Sequence, residues 1–191
     1  MIRILFICHG NICRSPMAEF VMKDLVKKAG LESRFHIESA ATSTEELGAP
    51  VYPPARRKLA EHGIDCAGKT ARQLTKADCA EYDLLIGMDR ANLRNMRRIC
   101  GGDYDGKMHL LMEFAGRPKG TLRKPGEAGR TGKGEAWKHS EVSPQAETGK
   151  SGLCFGEVAD PWYTDDFETT WQDVLAGCRG LLGFLQSGGN E

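Results

Sequence analysis

The chain lacks the bulk features that mark nucleic-acid-binding and membrane proteins. It carries 26 basic and 26 acidic residues, so it has no overall positive field for nucleic acid or an anionic lipid surface. Its first apolar run, Ile2–Ile7, is too short for a membrane span or a signal peptide. We therefore expect a cytoplasmic protein without a nucleic-acid or membrane partner.

The seven cysteines show no paired spacing of the kind that holds zinc, and their odd number argues against a disulfide framework. We expect four of them to be small buried side chains, namely Cys66, Cys79, Cys100 and Cys178. The sequence thus predicts no metal site, and it indicates no other cofactor.

Strand-like and helix-like patterns alternate along the chain, and the hydrophobic content of 40% is enough for one domain with a core. This alternation predicts an α/β fold, a doubly wound four-stranded parallel sheet flanked by helices. The predicted strands are Ile2–Ile7, Phe35–Glu38, Asp83–Met88 and Met108–Met112, and the last helix carries an apolar stripe from Phe167 to Leu185.

One stretch interrupts the alternation. From Gly116 to Lys150 the sequence has seven glycines, three prolines, a net charge of +4 and no apolar periodicity. We therefore expect a single domain over residues 1–191 that is interrupted at about residues 116–153 by a disordered insertion. This insertion is either a solvated tether or a basic tag for an acidic partner.

The most informative motif follows the first strand, where Cys8-His9-Gly10-Asn11-Ile12-Cys13-Arg14-Ser15 leads into a helix. Gly10 and Asn11 suit unusual backbone angles, and Ser15-Pro16 suits an N-cap followed by the first helical position. The backbone amides of the loop and the positive end of the helix then converge on one point, which favours a bound anion. The motif predicts a phosphate-binding loop after strand 1.

This setting also predicts the chemistry. Amide donors, a helix dipole and Arg14 all favour the thiolate of Cys8, which makes Cys8 a nucleophile near neutral pH. Arg14 can grip two phosphoryl oxygens through an in-line displacement, so no metal is required. A nucleophilic Cys8 further favours a reducing compartment.

The loop, continued by Pro16-Met17-Ala18-Glu19, resembles the signature of the low-molecular-weight protein tyrosine phosphatases of bacterial type. Later motifs occur in that family's order, which are Ser39-Ala40-Ala41-Thr42-Ser43, Ala71-Arg72-Gln73, Met88-Asp89 and Ala159-Asp160-Pro161-Trp162-Tyr163. The resemblance covers residues 1 to about 115 and about 157 to the end. It implies hydrolysis of phosphotyrosine in proteins through a cysteinyl-phosphate intermediate, with a cognate tyrosine kinase as a further partner.

The resemblance also assigns roles within the site. Asp160 is implied as general acid and then general base, and Trp162 and Tyr163 as aromatic walls of the substrate cleft. Ser15 would hydrogen-bond the Cys8 thiolate, and Ser39 would support the loop together with Asn11. The remaining loop residues, His9, Gly10, Ile12 and Cys13, would surround the phosphate. Cys13 could also trap an oxidised Cys8 as a reversible disulfide, which would make the protein redox-sensitive.

Three alternatives remain open from the sequence. A protein arginine phosphatase would resemble this chain, although Ile12 stands where those enzymes have threonine, and an apolar residue favours a phenyl ring. A catalytically weak phosphate-binding module would keep the loop but lose turnover. Gly63-Ile64-Asp65-Cys66-Ala67-Gly68-Lys69-Thr70 formally matches the phosphate loop of an NTPase, but a charged helical pattern precedes it where that loop needs a buried strand.

Overall fold

A computed structural model describes residues 1–103, 105–115 and 156–187. Its four strands form one parallel sheet in the order β2-β1-β3-β4, as the α/β prediction requires. The elements in chain order are β1 Ile2–Cys8, α1 Arg14–Lys28, β2 Phe35–Ala41, α2 Pro53–Glu61, α3 Lys76–Glu81, β3 Leu84–Gly87, α4 Arg90–Cys100, β4 Met108–Leu110, α5 Pro161–Thr164 and α6 Phe167–Ser187, with single 3₁₀ turns at Glu32–Arg34 and Leu111–Glu113.

The central strand β1 is covered on both faces, which explains its uninterrupted apolar sequence. Ile4 and Phe6 face a core shared with α1, α2 and α6, whereas Leu5 and Ile7 face a second core shared with α3 and α4. Helices on both faces make the sheet doubly wound and confirm the predicted fold class. Because parallel strands all end at the same edge, the loop that follows β1 opens at that edge.

The predicted fourth strand is too long. β4 ends at Leu110, and Leu111–Glu113 forms a 3₁₀ turn instead of continuing the strand to Met112. The turn directs the fully buried Leu111 into the core against α6, where a Cβ on Gly177 would lie 2.5 Å from Leu111 Cγ. Packing against α6 therefore overrides the local strand pattern.

The expectation for the cysteines is correct for Cys66 and Cys178, which are buried and free. It is wrong for Cys79 and Cys100, which form a disulfide with a Cα–Cα distance of 5.7 Å. The bond joins α3 to the last residue of α4, because these two helices pack side by side on one face of the sheet. A separation of 21 residues gave no sequence signal for this pairing.

Two further expectations concern the insertion and membrane spans. The insertion predicted at about residues 116–153 lies outside the described residues, so its prediction is untested. Among the described helices, none is both long enough and apolar enough to cross a membrane.

Candidate active site

The loop between β1 and α1 is held in place by three backbone hydrogen bonds. Thr42 N–H donates to the carbonyl of Cys8 at 2.9 Å, Ser43 N–H to that of His9 at 3.0 Å, and Tyr52 N–H to that of Ile12 at 2.9 Å. Asn11 adopts the left-handed conformation, with φ of 58°. Gly10 has a different reason for lacking a side chain, because a Cβ there would lie 3.2 Å from Glu46 Cγ.

Two donors converge on the sulfur of Cys8, which is 3% exposed at the end of β1. Asn11 N–H lies 3.2 Å from Cys8 Sγ, and the Ser15 hydroxyl lies 3.1 Å from it. Both groups are hydrogen-bond donors, so the sulfur is the acceptor in each contact. The loop itself therefore positions the sulfur and supplies its hydrogen-bond donors.

The prediction that Ser15 caps α1 is wrong. The helix begins at Arg14, its N-cap is Cys13 without a side-chain hydrogen bond, and Pro16 occupies the third helical position. The Ser15 hydroxyl points to the sulfur of Cys8 instead. A hydroxyl can donate one hydrogen bond, and here the buried sulfur accepts it, which is the contact that the family resemblance predicted.

Behind the loop, a buried chain of polar groups supports Asn11. Its side-chain amide donates to the hydroxyls of Ser15 at 2.9 Å and Ser39 at 2.8 Å. Ser39 donates in turn to Glu19, and Lys69 Nζ lies 3.1 Å from the same carboxylate. Sequence reasoning missed Glu19 and Lys69 as part of this support, because their partners are far away in sequence.

Arg14, the first residue of α1, is the buried cation of the site. Its guanidinium is 5% exposed and forms two ion pairs, at 2.7 Å with Asp89 Oδ2 and at 2.6 Å with Asp160 Oδ2. Burial on its own would lower the pKa of Arg14, but the negative charges of Cys8, Asp160 and Asp89 raise it above its ordinary value. Arg14 thus carries a permanent positive charge beside the nucleophile. Asp89, which also caps α4, was not among the predicted site residues.

Asp160 reaches Arg14 from the segment that precedes α5. Its second carboxylate oxygen accepts from Trp162 N–H at 3.1 Å and caps that short helix. Trp162 is 61% exposed and its ring centroid lies 5.8 Å from that of Tyr52, while Tyr163 is 85% exposed. Trp162 therefore packs near Tyr52, whose backbone N–H donates to the loop. The sequence did not single out Tyr52.

The remaining loop side chains take different positions. His9 points outward and lies 3.0 Å from Glu45, so one side of the opening is polar. Ile12 and Cys13 are buried. Burial raises the pKa of the Cys13 thiol to about 12, with the charges of Cys8 and Asp160 adding to the effect. Cys13 is therefore a poor nucleophile at neutral pH, which leaves Cys8 as the candidate nucleophile of the loop.

The NTPase interpretation of Gly63–Thr70 does not fit its surroundings. Gly63 has φ of 73° directly after the end of α2, and no strand precedes it. Lys69 binds Glu19 rather than facing an open loop. A groove of about 860 Å³ is lined by residues of this segment, of α1 and of β2, but by neither Cys8, Arg14 nor Asp160.

The site combines a buried thiol, a loop of backbone amides and a guanidinium that pairs with two carboxylates. At the carboxyl edge of a parallel sheet, this arrangement suits phosphoryl transfer. A sequence profile of low molecular weight phosphotyrosine protein phosphatase matches residues 3–136. The low molecular weight protein-tyrosine-phosphatase YfkJ of Bacillus subtilis is 30% identical over 186 residues, covering 97% of each chain. The low molecular weight phosphotyrosine protein phosphatase of Gallus gallus is 44% identical over 181 residues, covering 94% of this chain and 92% of its own.

Comparison with solved structures gives the same family. The crystal structure of YfkJ superposes with a TM-score of 0.77 at 29% identity and covers 100% of this chain and 98% of its own. That of the phosphatase SP-PTP from Streptococcus pyogenes gives 0.71 at 33% identity, covering 97% and 93%. The chain belongs to the low molecular weight phosphotyrosine protein phosphatase family, as the resemblance of its motifs predicted.

Proposed function

We propose that this chain hydrolyses phosphotyrosine in proteins by two displacements at Cys8, without a metal ion. The observation that carries the proposal is the position of Arg14, which holds both Asp89 and Asp160 within 2.7 Å and interacts electrostatically with Cys8. The named activity of its relatives supports the same substrate class.

In the first displacement the Cys8 thiolate attacks phosphorus, and the bond to the tyrosine oxygen breaks. Asp160 gives its proton to that oxygen, so tyrosine leaves neutral. The loop amides and Arg14 hold the phosphoryl oxygens, which carry the charge in the transition state. For this step Arg14 must exchange Asp160 for the phosphoryl group. The freed carboxylate then takes up a proton from solvent and reaches the leaving oxygen as the neutral acid.

In the second displacement a water molecule attacks the cysteinyl phosphate. Asp160, now ionised, takes a proton from the water, the sulfur–phosphorus bond breaks, and inorganic phosphate leaves. The Cys8 thiolate returns to its two donors, Asn11 N–H and the Ser15 hydroxyl. One carboxyl group thus serves as acid and then as base.

The proposal also covers the domain organisation, the partners and the location of the enzyme. We propose a single domain, because core residues on both sides of the predicted insertion, such as Leu111 and Val158, belong to one hydrophobic cluster. Its partners are phosphotyrosine-containing proteins, with a tyrosine kinase supplying the substrate. A cytoplasmic location suits a thiolate nucleophile, since that compartment keeps thiols reduced; the Cys79–Cys100 disulfide would then form only under oxidising conditions.

Turnover of an aryl phosphate in excess EDTA tests this function. The proposal expects full activity, because no step uses a metal. An NTPase would be inactive without magnesium, and a phosphate-binding module would bind phosphate without releasing phenol. Either result would overturn the proposal.

A further inference from the structure

The residue before Asp160 is held at both of its backbone polar groups by side chains of α6. Ala159 N–H donates to Asp173 Oδ2 at 2.9 Å, and the Ala159 carbonyl lies 3.0 Å from the hydroxyl of Thr170. That hydroxyl also lies 3.1 Å from the carbonyl of Asp166, so its one hydrogen is shared between the two carbonyls. Thr170 and Asp173 are three residues apart and therefore lie on one face of the helix. Thr170 is fully buried and Asp173 is 4% exposed.

Asp173 is a costly residue at this position. Burial raises its pKa above the ordinary value; its hydrogen bond from Ala159 N–H lowers it and the charge of Asp166 raises it further. A buried carboxylate loses its hydration, and the hydrogen bond from Ala159 N–H offsets part of that loss. The contact of Asp173 with Ala159 gives a reason, based on geometry, for a carboxylate here.

The held segment connects the two acidic partners of Arg14. Val158 N–H donates to the carbonyl of Met88 at 2.8 Å, and Met88 directly precedes Asp89. Asp160 follows Ala159, so its Cα lies about 3.8 Å from a fixed Cα. When a phosphoryl group displaces Asp160 from Arg14, the fixed backbone confines the movement to the Asp160 side chain.

We propose that Thr170 and Asp173 are positioning residues, which fix Ala159 so that Asp160 reaches the leaving-group oxygen. The proposal rests on the role of Asp160 in the proposed function. Neither side chain touches the reacting atoms; each acts through the backbone of Ala159. A misplaced acid should slow the reaction most where the leaving group needs a proton.

The first test compares Thr170→Val with wild type on phenyl phosphate and on p-nitrophenyl phosphate. The ratio kcat/KM is the readout, because it reports on the steps up to the first displacement. We expect a loss of about tenfold on phenyl phosphate and under about twofold on the nitrophenyl ester, whose leaving group needs less protonation. Thr170→Ser keeps the hydroxyl and should restore the wild-type ratio between the two substrates.

A matched control is available on the same helix turn. Thr169→Val also removes a hydroxyl, in this case one that donates to Asp166 at 2.6 Å and does not contact Ala159. It should leave the ratio between the two substrates unchanged. A thermal melt of each variant separates lost stability from lost positioning.

The second test combines Thr170→Val with Asp160→Asn. If Thr170 acts through Asp160, the double variant is no slower on phenyl phosphate than Asp160→Asn alone. At Asp173, the Asn variant keeps an acceptor oxygen and should remain close to wild type, whereas Asp173→Ala should reproduce the Thr170→Val pattern.

Equal losses on both substrates for Thr170→Val, or additive losses in the double variant, would overturn the positioning role. A failure of the proposed function would give a different result. In that case Asp160→Asn itself would show no dependence on the leaving group. If Asp160→Asn shows that dependence and Thr170→Val does not, only the present inference fails.

Discussion

The Asp160 carboxylate lies 2.6 Å from the Arg14 guanidinium, on the donors that a phosphoryl group would use. The acid and the substrate phosphate therefore compete for one side chain. Before substrate binds, the ion pair keeps Arg14 oriented and compensates its buried charge. In the proposed mechanism, phosphate displaces the carboxylate, and Asp160 then acts on the leaving oxygen.

This competition predicts that Asp160→Asn binds inorganic phosphate more tightly while losing activity. The amide removes the negative charge that competes for Arg14, so the inhibition constant of phosphate should fall by about fivefold. The loss in kcat/KM should be larger for phenyl phosphate than for the nitrophenyl ester. Steady-state inhibition and a two-substrate comparison measure both effects.

Asp89→Asn is the matched control for this variant. It removes a negative charge at 2.7 Å from the same guanidinium, and asparagine is an equally good cap for α4. It should also tighten phosphate binding, but without any dependence on the leaving group. A leaving-group effect of equal size in both variants would show that Asp160 has no special role as acid.

The choice between phosphotyrosine and phosphoarginine depends on Ile12. This side chain is apolar and 9% exposed, so its position supplies no hydroxyl of the kind that a guanidinium favours. We expect higher kcat/KM on phosphotyrosine than on phosphoarginine in the same peptide. Ile12→Thr should narrow the gap without improving the aryl reaction. A wild-type preference for phosphoarginine would contradict the substrate assignment.

The disulfide between Cys79 and Cys100 predicts a stability that depends on reductant. A cross-link across 21 residues stabilises a fold by about 3 kcal/mol, mainly by restricting the unfolded chain. Reductant should therefore lower the melting temperature of the wild type. The melting temperature of Cys79→Ser/Cys100→Ser should start lower and not respond. Equal responses of both proteins would mean that the bond does not form in solution.

The raised pKa of Asp173 predicts a stability that depends on pH. The folded state binds the Asp173 proton more tightly than the unfolded state does. The stability that Asp173 contributes is therefore fully present below the unfolded pKa of aspartate, about 3.9. It is lost as the pH rises through the higher folded value. Relative to Asp173→Asn, the wild type should lose stability from about pH 3.5 towards neutrality. Urea unfolding over that range measures the difference, and a constant difference would contradict the prediction.

The sequence predicted those features that depend on local pattern. The strand before Cys8, the unusual backbone at Asn11 and the alternation of strands and helices are all set by residues close together in the chain. Ser15 shows the limit of such reasoning. Its type and place predicted a helix cap, but the sulfur seven residues earlier accepts its hydrogen bond. The family resemblance predicted that contact, whereas local propensity could not.

The partners that the sequence missed all act across long separations. Asp89 lies 75 residues from Arg14, and Asp173 meets Ala159 only because α6 packs against the segment before α5. Cys79 and Cys100 meet because α3 and α4 share one face of the sheet. Periodicity predicts which residues are buried, but it does not predict which buried polar groups pair.

The central claim is that Cys8 carries the phosphoryl group, and turnover by Cys8→Ser tests it most directly. A serine hydroxyl is far less acidic than a thiol, whereas the loop amides and Arg14 remain in place to bind the anion. We predict that hydrolysis of p-nitrophenyl phosphate is abolished while vanadate or phosphate still binds with largely unchanged affinity. Residual activity within about tenfold of wild type would contradict the account.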